Sequence, residues 1–530
     1  MRVALAQINQ IVGDFEGNLD RIRKRIDQAR AAKADLIVFP ELAVSGFPVL
    51  GLSSRPVFVK DDSEAIRRIA EEVRGISVIL GFLEPDPSDP RNLPFNAAAV
   101  LEENRSRMAG RKTVMKRLGL WHETDIYGQG DPVSAINVAG RKVKVLVGKA
   151  DLEERAGRGK ADLVVALASF HVAEPGRRTL IESTARVAEA HHSPVAVLNQ
   201  VGGRDELVYE GRSFVLNAKG RLCARLAAWQ EDLAVFDLRK LHVIEDATVD
   251  PDEDLVEAAV LGIRDFVTRC GTGKALLGLS GGIDSAVVAG LAVRALGPGN
   301  VLGVVLPSRF TSQGSIDDAA DLAARMGIEF KVIPIEPGFR TLLESLEPHF
   351  RGMPFDRTEE NLQARLRGVI LMSLSNKLHR MLLATGNRSE IGVGYMTMYG
   401  DTCGGLAPIA DLSKAQVYRV GRGLNRTQGM IPEAIFQKAP SAELKPGQID
   451  QDTLPPYDEL DPMIARYEDE GLDADALCCS GFSREAAESM IRMSRDTAHK
   501  RRQLPPALSL VERSLRASPA YTPISHQYRK

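Results

Sequence analysis

Short apolar runs recur through the first 240 or so residues, separated by stretches in which apolar positions return every three to four places. Val3-Ala4-Leu5-Ala6 reads as a strand, 18–32 as an amphipathic helix and Leu36-Ile37-Val38-Phe39 as the next strand. Further runs at 77–82, 97–101, 143–147, 163–167 and 195–198 repeat the strand pattern. Strands alternating with helices predict a layered α/β domain. The alternation stops at 243–254, where Glu245, Asp246, Asp250, Asp252, Glu253 and Asp254 flank Pro251 and no apolar face returns before Leu255. This acidic stretch is expected to link two domains. The pattern restarts with a strand at 275–279, a helix at 285–296, a strand at 301–306, a helix at 315–326 and a strand at 330–335. That order, with short loops, predicts a doubly wound parallel sheet. The expected division is 1–242, 243–254 and 255–530, with 516–530, a mixture of Pro and basic residues, as a frayed tail.

Composition agrees with two folded domains. The chain has 530 residues, beyond the roughly 250–300 at which one hydrophobic core stops growing. Its 44% hydrophobic and 26% charged residues are those of a globular protein. Lys plus Arg is 68 against 70 for Asp plus Glu, a net charge of −2, so no overall field favours nucleic acid or a membrane, and any anionic ligand needs a local site. No apolar run approaches the ~18 residues of a membrane span, and Gln7 and Asn9 interrupt the first one. A cytoplasmic protein is expected. The five cysteines include one adjacent pair, Cys478-Cys479, and no C-x-x-C, which indicates neither a zinc site nor a disulfide framework. Cys403, Cys478 and Cys479 are expected to be small buried residues and Cys223 to lie in a turn at 219–223.

The strongest chemical signal follows the strand at 275–279. Ser280-Gly281-Gly282-Ile283-Asp284-Ser285 precedes the apolar helix AVVAGLAVRAL. Two glycines let backbone N–H groups approach an anion, the serines add donors, and the helix start supplies a positive dipole end, which together make a pyrophosphate cradle. No Gly-Lys-Ser/Thr follows, so this is not the Walker loop. Asp284 beside a phosphate nest is unfavourable unless a divalent cation sits between them.

Ser-Gly-Gly-x-Asp-Ser after a sheet strand resembles the signature of the ATP pyrophosphatases, which cleave ATP between its α and β phosphates. The loop alone leaves NAD, GMP, asparagine and argininosuccinate synthetases open. Glu360-Asn361-Leu362-Gln363-Ala364-Arg365, Thr385-Gly386-Asn387-Arg388-Ser389-Glu390, Tyr399-Gly400-Asp401, Leu412-Ser413-Lys414, Pro440-Ser441-Ala442-Glu443-Leu444 and His499-Lys500-Arg501-Arg502-Gln503 are together similar to NAD synthetases over residues 255–510. In the first half, Phe39-Pro40-Glu41-Leu42 and Asn199-Gln200-Val201-Gly202-Gly203 resemble the nitrilase-like amidase domain of the bacterial glutamine-dependent NAD synthetases. The resemblance implies a nitrilase-like α/β sandwich followed by a Rossmann-like ATP pyrophosphatase domain, in an enzyme that forms a C–N bond and assembles as a homo-oligomer.

It further implies that deamido-NAD is adenylated by ATP and that ammonia then displaces AMP. Ser280, Gly281, Gly282, Ile283, Asp284, Ser285 and Thr385 would contact ATP, the last at the end of a strand LLAT. Asp284 and Glu390 would hold Mg2+, and Asn361, Arg365, Glu390, Asp401, Lys414 and Lys500 would meet deamido-NAD. In the amidase half, Glu41 matches the general base and Lys112, followed by Glu123, the oxyanion lysine. The nucleophile does not match. Where the family reads Cys-Glu-Asp after a strand, this chain has Lys149-Ala150-Asp151, and an ammonium cannot replace a thiolate. The substrate contacts depart as well: Met115-Lys116-Arg117-Leu118 stands for Leu-Pro-Asn-Tyr, and Ala168-Ser169-Phe170-His171 with Glu174 stands for Ser-Pro-Phe-His with a lysine. A scaffold without glutaminase activity, fed by free ammonia, is expected, with Glu41, Lys112 and Lys149 as one ion cluster in the old pocket. Glutamine hydrolysis by a non-standard site, and a nucleotide-binding scaffold with both activities lost, are the alternatives.

Overall fold

The computed structural model describes residues 1–512 except 119–120, 133, 155–156, 158–159, 175–178 and 248. The expected tail at 516–530 and the side chain of Leu118 fall outside the described residues. The chain forms two compact units, Met1–Arg204 with Val208–Thr248, and Asp205–Leu207 with Val249–Lys530.

The first unit is built from two six-stranded sheets. One runs in the order Asp232–Asp237, Arg2–Gln7, Leu36–Val38, Ser77–Glu84, Phe95–Glu102, Arg105–Arg111, and the other Leu222–Arg225, Phe214–Leu216, Val195–Asn199, Leu163–Ala168, Arg141–Val147, Ile136–Val138. Alternation along the strands divides the core. Val3, Leu5, Val38, Ile79 and Val100 pack with Val145, Val165, Leu167 and Leu198 between the sheets, whereas Ala4, Ala6, Ile37 and Val78 pack under the helices Phe15–Ala31 and Pro56–Glu72. The helix Leu180–His191 covers the other sheet through Leu180, Val187 and Ala188. Asp14 caps the first helix by accepting the Gly17 amide, and Pro56 opens the second.

The second unit holds a parallel sheet in the order Glu329–Val332, Val301–Val305, Ala275–Gly278, Met381–Leu382. Strand order reverses beside Ala275–Gly278, which makes the carboxyl ends of this strand and of Met381–Leu382 the switch point where ligands bind in such sheets. The helices Pro251–Arg269, Ile283–Leu296 and Lys414–Gln428 pack together, and Arg357–Leu378 packs on the strands Ala275–Gly278 and Met381–Leu382.

Several expected boundaries move. Residues 251–254 form the first turn of the helix Pro251–Arg269 rather than linker, because Asp250 accepts the Asp252 amide and Pro251 takes the first helical position. The helix expected from 285 starts at Ile283, with extended Gly282 as its cap. The strand expected to reach Thr385 is only Met381–Leu382, and Thr385 lies beyond it. Cys223 sits in the strand Leu222–Arg225, and none of the three cysteines expected in the core is buried: Cys403 and Cys478 are half-buried and Cys479 is exposed.

Candidate active sites

In the second unit the phosphate loop takes a shape that only glycine permits at one position. Gly281 has φ +74°, and a Cβ there would lie 2.4 Å from the Ser315 carbonyl oxygen. The Ser280 amide donates to Ser285 Oγ at 3.2 Å, the Gly282 amide donates to Ser280 Oγ at 3.2 Å, and Ser285 Oγ donates to the Gly282 carbonyl at 3.1 Å. Both serines thereby fix the loop at the start of a 14-residue helix. The loop borders a cavity of about 290 Å³ whose lining includes Asp284, Thr385, Glu390, Asp401 and Lys414.

Two carboxylates converge here on one ammonium. Lys414 Nζ lies 2.6 Å from Asp284 Oδ2 and 3.3 Å from Glu390 Oε1, and 5.0 Å from the Tyr457 ring centroid. Lys414 is 2% exposed. Burial disfavours its charge, and Asp284 and Glu390 together outweigh burial, so the ammonium is held above its ordinary range. Burial pushes the Glu390 carboxyl up, against the pull of Lys414. Asn387 links the group: its amide nitrogen donates to Asp284 Oδ1 at 2.8 Å while its oxygen accepts the Glu390 amide at 3.1 Å in a capping box. Among the described residues no cluster of three or more His, Cys, Asp or Glu side chains is arranged to hold a metal. A pair of carboxylates that already share one cation still fits Mg2+, which keeps most of its positions for phosphate and water.

Asn361 and Arg365, four apart on the helix Arg357–Leu378, both turn toward the segment at 397–398. Asn361 Oδ1 accepts from Thr397 Oγ1 at 2.7 Å and Arg365 Nε donates to the Met398 carbonyl at 3.3 Å. Asp401 accepts the Thr397 amide at 2.7 Å. Lys500, on the short helix Ala498–Arg501, folds back so that Nζ donates to the Gly394 and Met396 carbonyls, each at 2.8 Å. The expected residues thus gather around one segment. Three residues given no role in the sequence also take part: Glu443 accepts from Ser312 Oγ at 2.9 Å and Ser315 Oγ at 2.7 Å, Asn387 bridges the carboxylates, and Arg367 lines the cavity. The spacing of Asn387 and Glu390 is a capping-box signature and was legible; the long-range partners of Glu443 were not.

In the first unit Glu41, Lys112 and Glu123 meet. Lys112 Nζ is 2.9 Å from Glu41 Oε1 and 2.5 Å from Glu123 Oε1, all three residues being buried. Asn96 donates to Glu41 at 2.7 Å. Burial raises the Glu41 pKa, Lys112 opposing it. The strand Arg141–Val147 ends at Gly148, φ +88°, where a Cβ would lie 2.7 Å from Lys112 Cε, and the next residue, Lys149, begins the helix Lys149–Glu154. Asp151 anchors this elbow by accepting the amides of Thr113 and Val114, at 3.0 and 2.7 Å.

Lys149 does not join the expected trio. Its ammonium lies 3.2 Å from Glu153 and 3.4 Å from Glu174, while the partners of Glu41 are Lys112 and Asn96. By ion pairs among the described residues, Lys149 meets Glu153 and Glu174 while Lys112 meets Glu41 and Glu123, and the charges of Lys112 and Glu123 still reach Glu174. Burial pushes the Glu174 carboxyl up to about 7, against the pull of Lys149. Burial, with the charge of Lys149, brings the His171 imidazole down to about 4.

An amidase-like sandwich on one chain with a phosphate-loop α/β unit is the architecture of a two-domain ligase. The carbon-nitrogen hydrolase family model matches residues 2–245 and the NAD synthase model residues 255–505. The glutamine-dependent NAD(+) synthetase of Thermotoga maritima is 36% identical over 95% of both chains, and that of Synechocystis 37% identical over 97% of this chain and 96% of its own. A solved glutamine-dependent NAD+ synthetase from Acinetobacter baumannii, in complex with ADP, superposes with a TM-score of 0.76 at 33% identity, covering 95% of this chain and 94% of its own. One from Cytophaga hutchinsonii shares the fold, with a TM-score of 0.84 at 21% identity over 99% and 97% of the two chains. The chain belongs to the glutamine-dependent NAD(+) synthetase family, enzymes that form a C–N bond. No helix among the described residues is long and apolar enough to cross a membrane.

Proposed function

We propose that this chain amidates deamido-NAD to NAD with release of AMP and pyrophosphate in the cytoplasm, and that its nitrogen comes from free ammonia. What supports the second part is the elbow after Arg141–Val147, which we read as the nucleophile position and at which Lys149 lies paired with Glu153 and Glu174. An ammonium held between carboxylates has no lone pair for attack on an amide.

In the synthetase unit the nicotinate carboxylate oxygen attacks the α-phosphorus of ATP, forming an O–P bond as the bond to the pyrophosphate oxygen breaks. Ammonia then attacks the acyl carbon and AMP departs. The Ser280–Ser285 loop orients the phosphates with backbone donors, Lys414 balances the Asp284 and Glu390 carboxylates, and Thr385 lines the same cavity. Asp284 and Glu390 are the residues that would hold Mg2+, which when bound neutralises phosphate charge. Asn361, Arg365, Asp401 and Lys500, gathered around the segment at 394–401, are assigned to deamido-NAD.

A second reading, glutamine hydrolysis by another route, is favoured by the preserved Glu41–Lys112–Glu123 group and by the relatives' names. Paired assays with ammonium or glutamine as sole nitrogen donor decide between them. NAD, AMP and pyrophosphate are expected with ammonium alone. Equal rates with glutamine would establish the second reading, and ADP with phosphate as products would overturn both.

A further inference from the structure

One helix holds both partners of the Lys414 ion group in place. The helix Tyr457–Glu470 packs against Arg388–Val393, which carries Glu390, and against Lys414–Gln428. Its buried Leu460, Met463 and Ile464 share an apolar cluster with Val393. Asp461, four residues on from Tyr457 and so on the same face, ties the two partner helices together. Its Oδ1 accepts from Ser389 Oγ and its Oδ2 accepts the Ala415 amide at 3.0 Å, while the Lys414 amide donates to Ser389 Oγ at 2.8 Å. Toward the other end of the helix Asp469 lies 2.7 Å from Arg388. The backbones that carry Glu390 and Lys414 are thereby set from one element.

Its first residue, Tyr457, meets the Lys414 side chain itself. A lysine ammonium is a strongly hydrated charge with three donors on a flexible four-carbon stem, yet Lys414 is 2% exposed, and Asp284 and Glu390 account for two partners. The Tyr457 ring centroid stands 5.0 Å from Nζ, within the ~6 Å of a cation–π contact. That attraction brings no negative charge with it. A third carboxylate in direct contact with the ammonium would repel the phosphates of ATP, whereas a ring face holds the cation and leaves its charge for them. The Tyr457 hydroxyl donates to Asp450 Oδ2 at 2.7 Å, and a phenol that donates to a carboxylate gains electron density on its ring. We propose that Tyr457 is a positioning residue of the synthetase site, its ring face keeping the Lys414 ammonium aimed at the Asp284 and Glu390 carboxylates. The proposal rests on the reading of this cavity as the site of adenylation.

The test uses the full chain with ammonium as nitrogen donor and measures kcat, KM for ATP and for deamido-NAD, and melting. Tyr457→Leu is expected to lower kcat ~10-fold or more, on the scale of a desolvated cation–π contact, with both KM values unchanged. Tyr457→Phe, which keeps the ring and loses the bond to Asp450, is expected to fall between wild type and Tyr457→Leu. Phenylalanines with increasing numbers of ring fluorines at position 457 keep the packing and draw electron density from the ring face. Log kcat is expected to fall stepwise along that series while the melting temperature stays that of Tyr457→Phe, and the series carries the test if Tyr457→Leu misfolds. A kcat independent of fluorine number, or equal losses in Tyr457→Phe and Tyr457→Leu, would overturn the proposal. A readout without turnover separates it from the proposed function. Acylation of Lys414 by acetic anhydride, followed by peptide mass spectrometry, is expected to speed up from wild type to Tyr457→Phe to Tyr457→Leu. If that order holds in a chain that forms no NAD, the proposed function fails while the positioning stands; if NAD forms and the order is absent, the positioning fails alone.

Discussion

At the scale of single residues, both sites turn on which cation stands between which carboxylates. In the synthetase unit Asp284 and Glu390 share Lys414, and Asn387 holds Asp284 in register. Removing one carboxylate while keeping its shape is therefore expected to preserve the fold and lose catalysis: Asp284→Asn and Glu390→Gln should each lower kcat roughly 100-fold or more, the scale of one lost preorganised electrostatic contact. Steady-state rates across a magnesium titration measure it, and near-normal turnover at limiting magnesium would remove the metal role. In the amidase unit Lys149 is the ammonium that Glu174 faces. Lys149→Cys is expected to release no glutamate from glutamine, because a thiol alone lacks the substrate contacts that orient the amide. The same change leaves Glu174 short of its counter-charge, at a cost of about 1–3 kcal/mol, reduced from that of a fully buried pair because Glu174 is half-buried. Since burial raises the Glu174 carboxyl to about 7, its ionised form is disfavoured in the folded state. The deficit should be small at pH 5.5, where the carboxyl is protonated with or without Lys149, and grow as pH rises through about 7 toward pH 8. Melting curves at the two pH values check this, and a pH-independent deficit would assign the loss to packing.

At the scale of elements, the helix Pro56–Glu72 carries a titratable group into the core. Asp62 is fully buried and accepts the Leu83 amide at 2.7 Å, joining the helix to the strand Ser77–Glu84. Burial pushes its carboxyl from 3.8 up to about 7, the Leu83 amide opposing the rise. Between those values the folded chain holds a proton that the unfolded chain releases, so stability falls as pH rises through this window. Asp62→Asn keeps the shape and removes the titration. It is expected to flatten that slope and stabilise the first unit at pH 8 by up to ~4 kcal/mol, and parallel melting curves for wild type and variant would refute it. Much at this scale was legible in the sequence: the alternation of Val3 and Leu5 with Ala4 and Ala6 already separates the face between the sheets from the face under the helices. Asp250 and Pro251 are a helix start that charge density disguised as linker. Glu174 reaches Lys149 across 25 residues of chain, a distance at which no pattern specifies a partner.

For the whole molecule, the helix Arg357–Leu378 gives the argument for assembly. One side of it, with Ala364, Gly368 and Leu371, lines the cavity beside the Ser280–Ser285 loop. Val369, 61% exposed, and Met372, 37% exposed, point away from that lining, and Met353 and Phe355 just before the helix are exposed at 70% and 53%. A helix that shows apolar side chains on both faces is usually covered on both. A second copy of this chain is the expected cover, through a two-fold interface in which the helix meets the same segment of its partner. Wild type at micromolar concentration should then scatter light as at least twice the 57.7 kDa chain mass. The double variant Val369→Glu/Met372→Glu should scatter as a single chain, because paired carboxylates on each surface repel and resist burial. The helix that would meet the partner also carries Asn361 and Arg365, so loss of the contact should raise the KM for deamido-NAD while leaving the melting of the first unit unchanged. A wild type that scatters at one chain mass would remove the interface. A monomeric variant with unaltered KM values would keep the interface and separate it from catalysis.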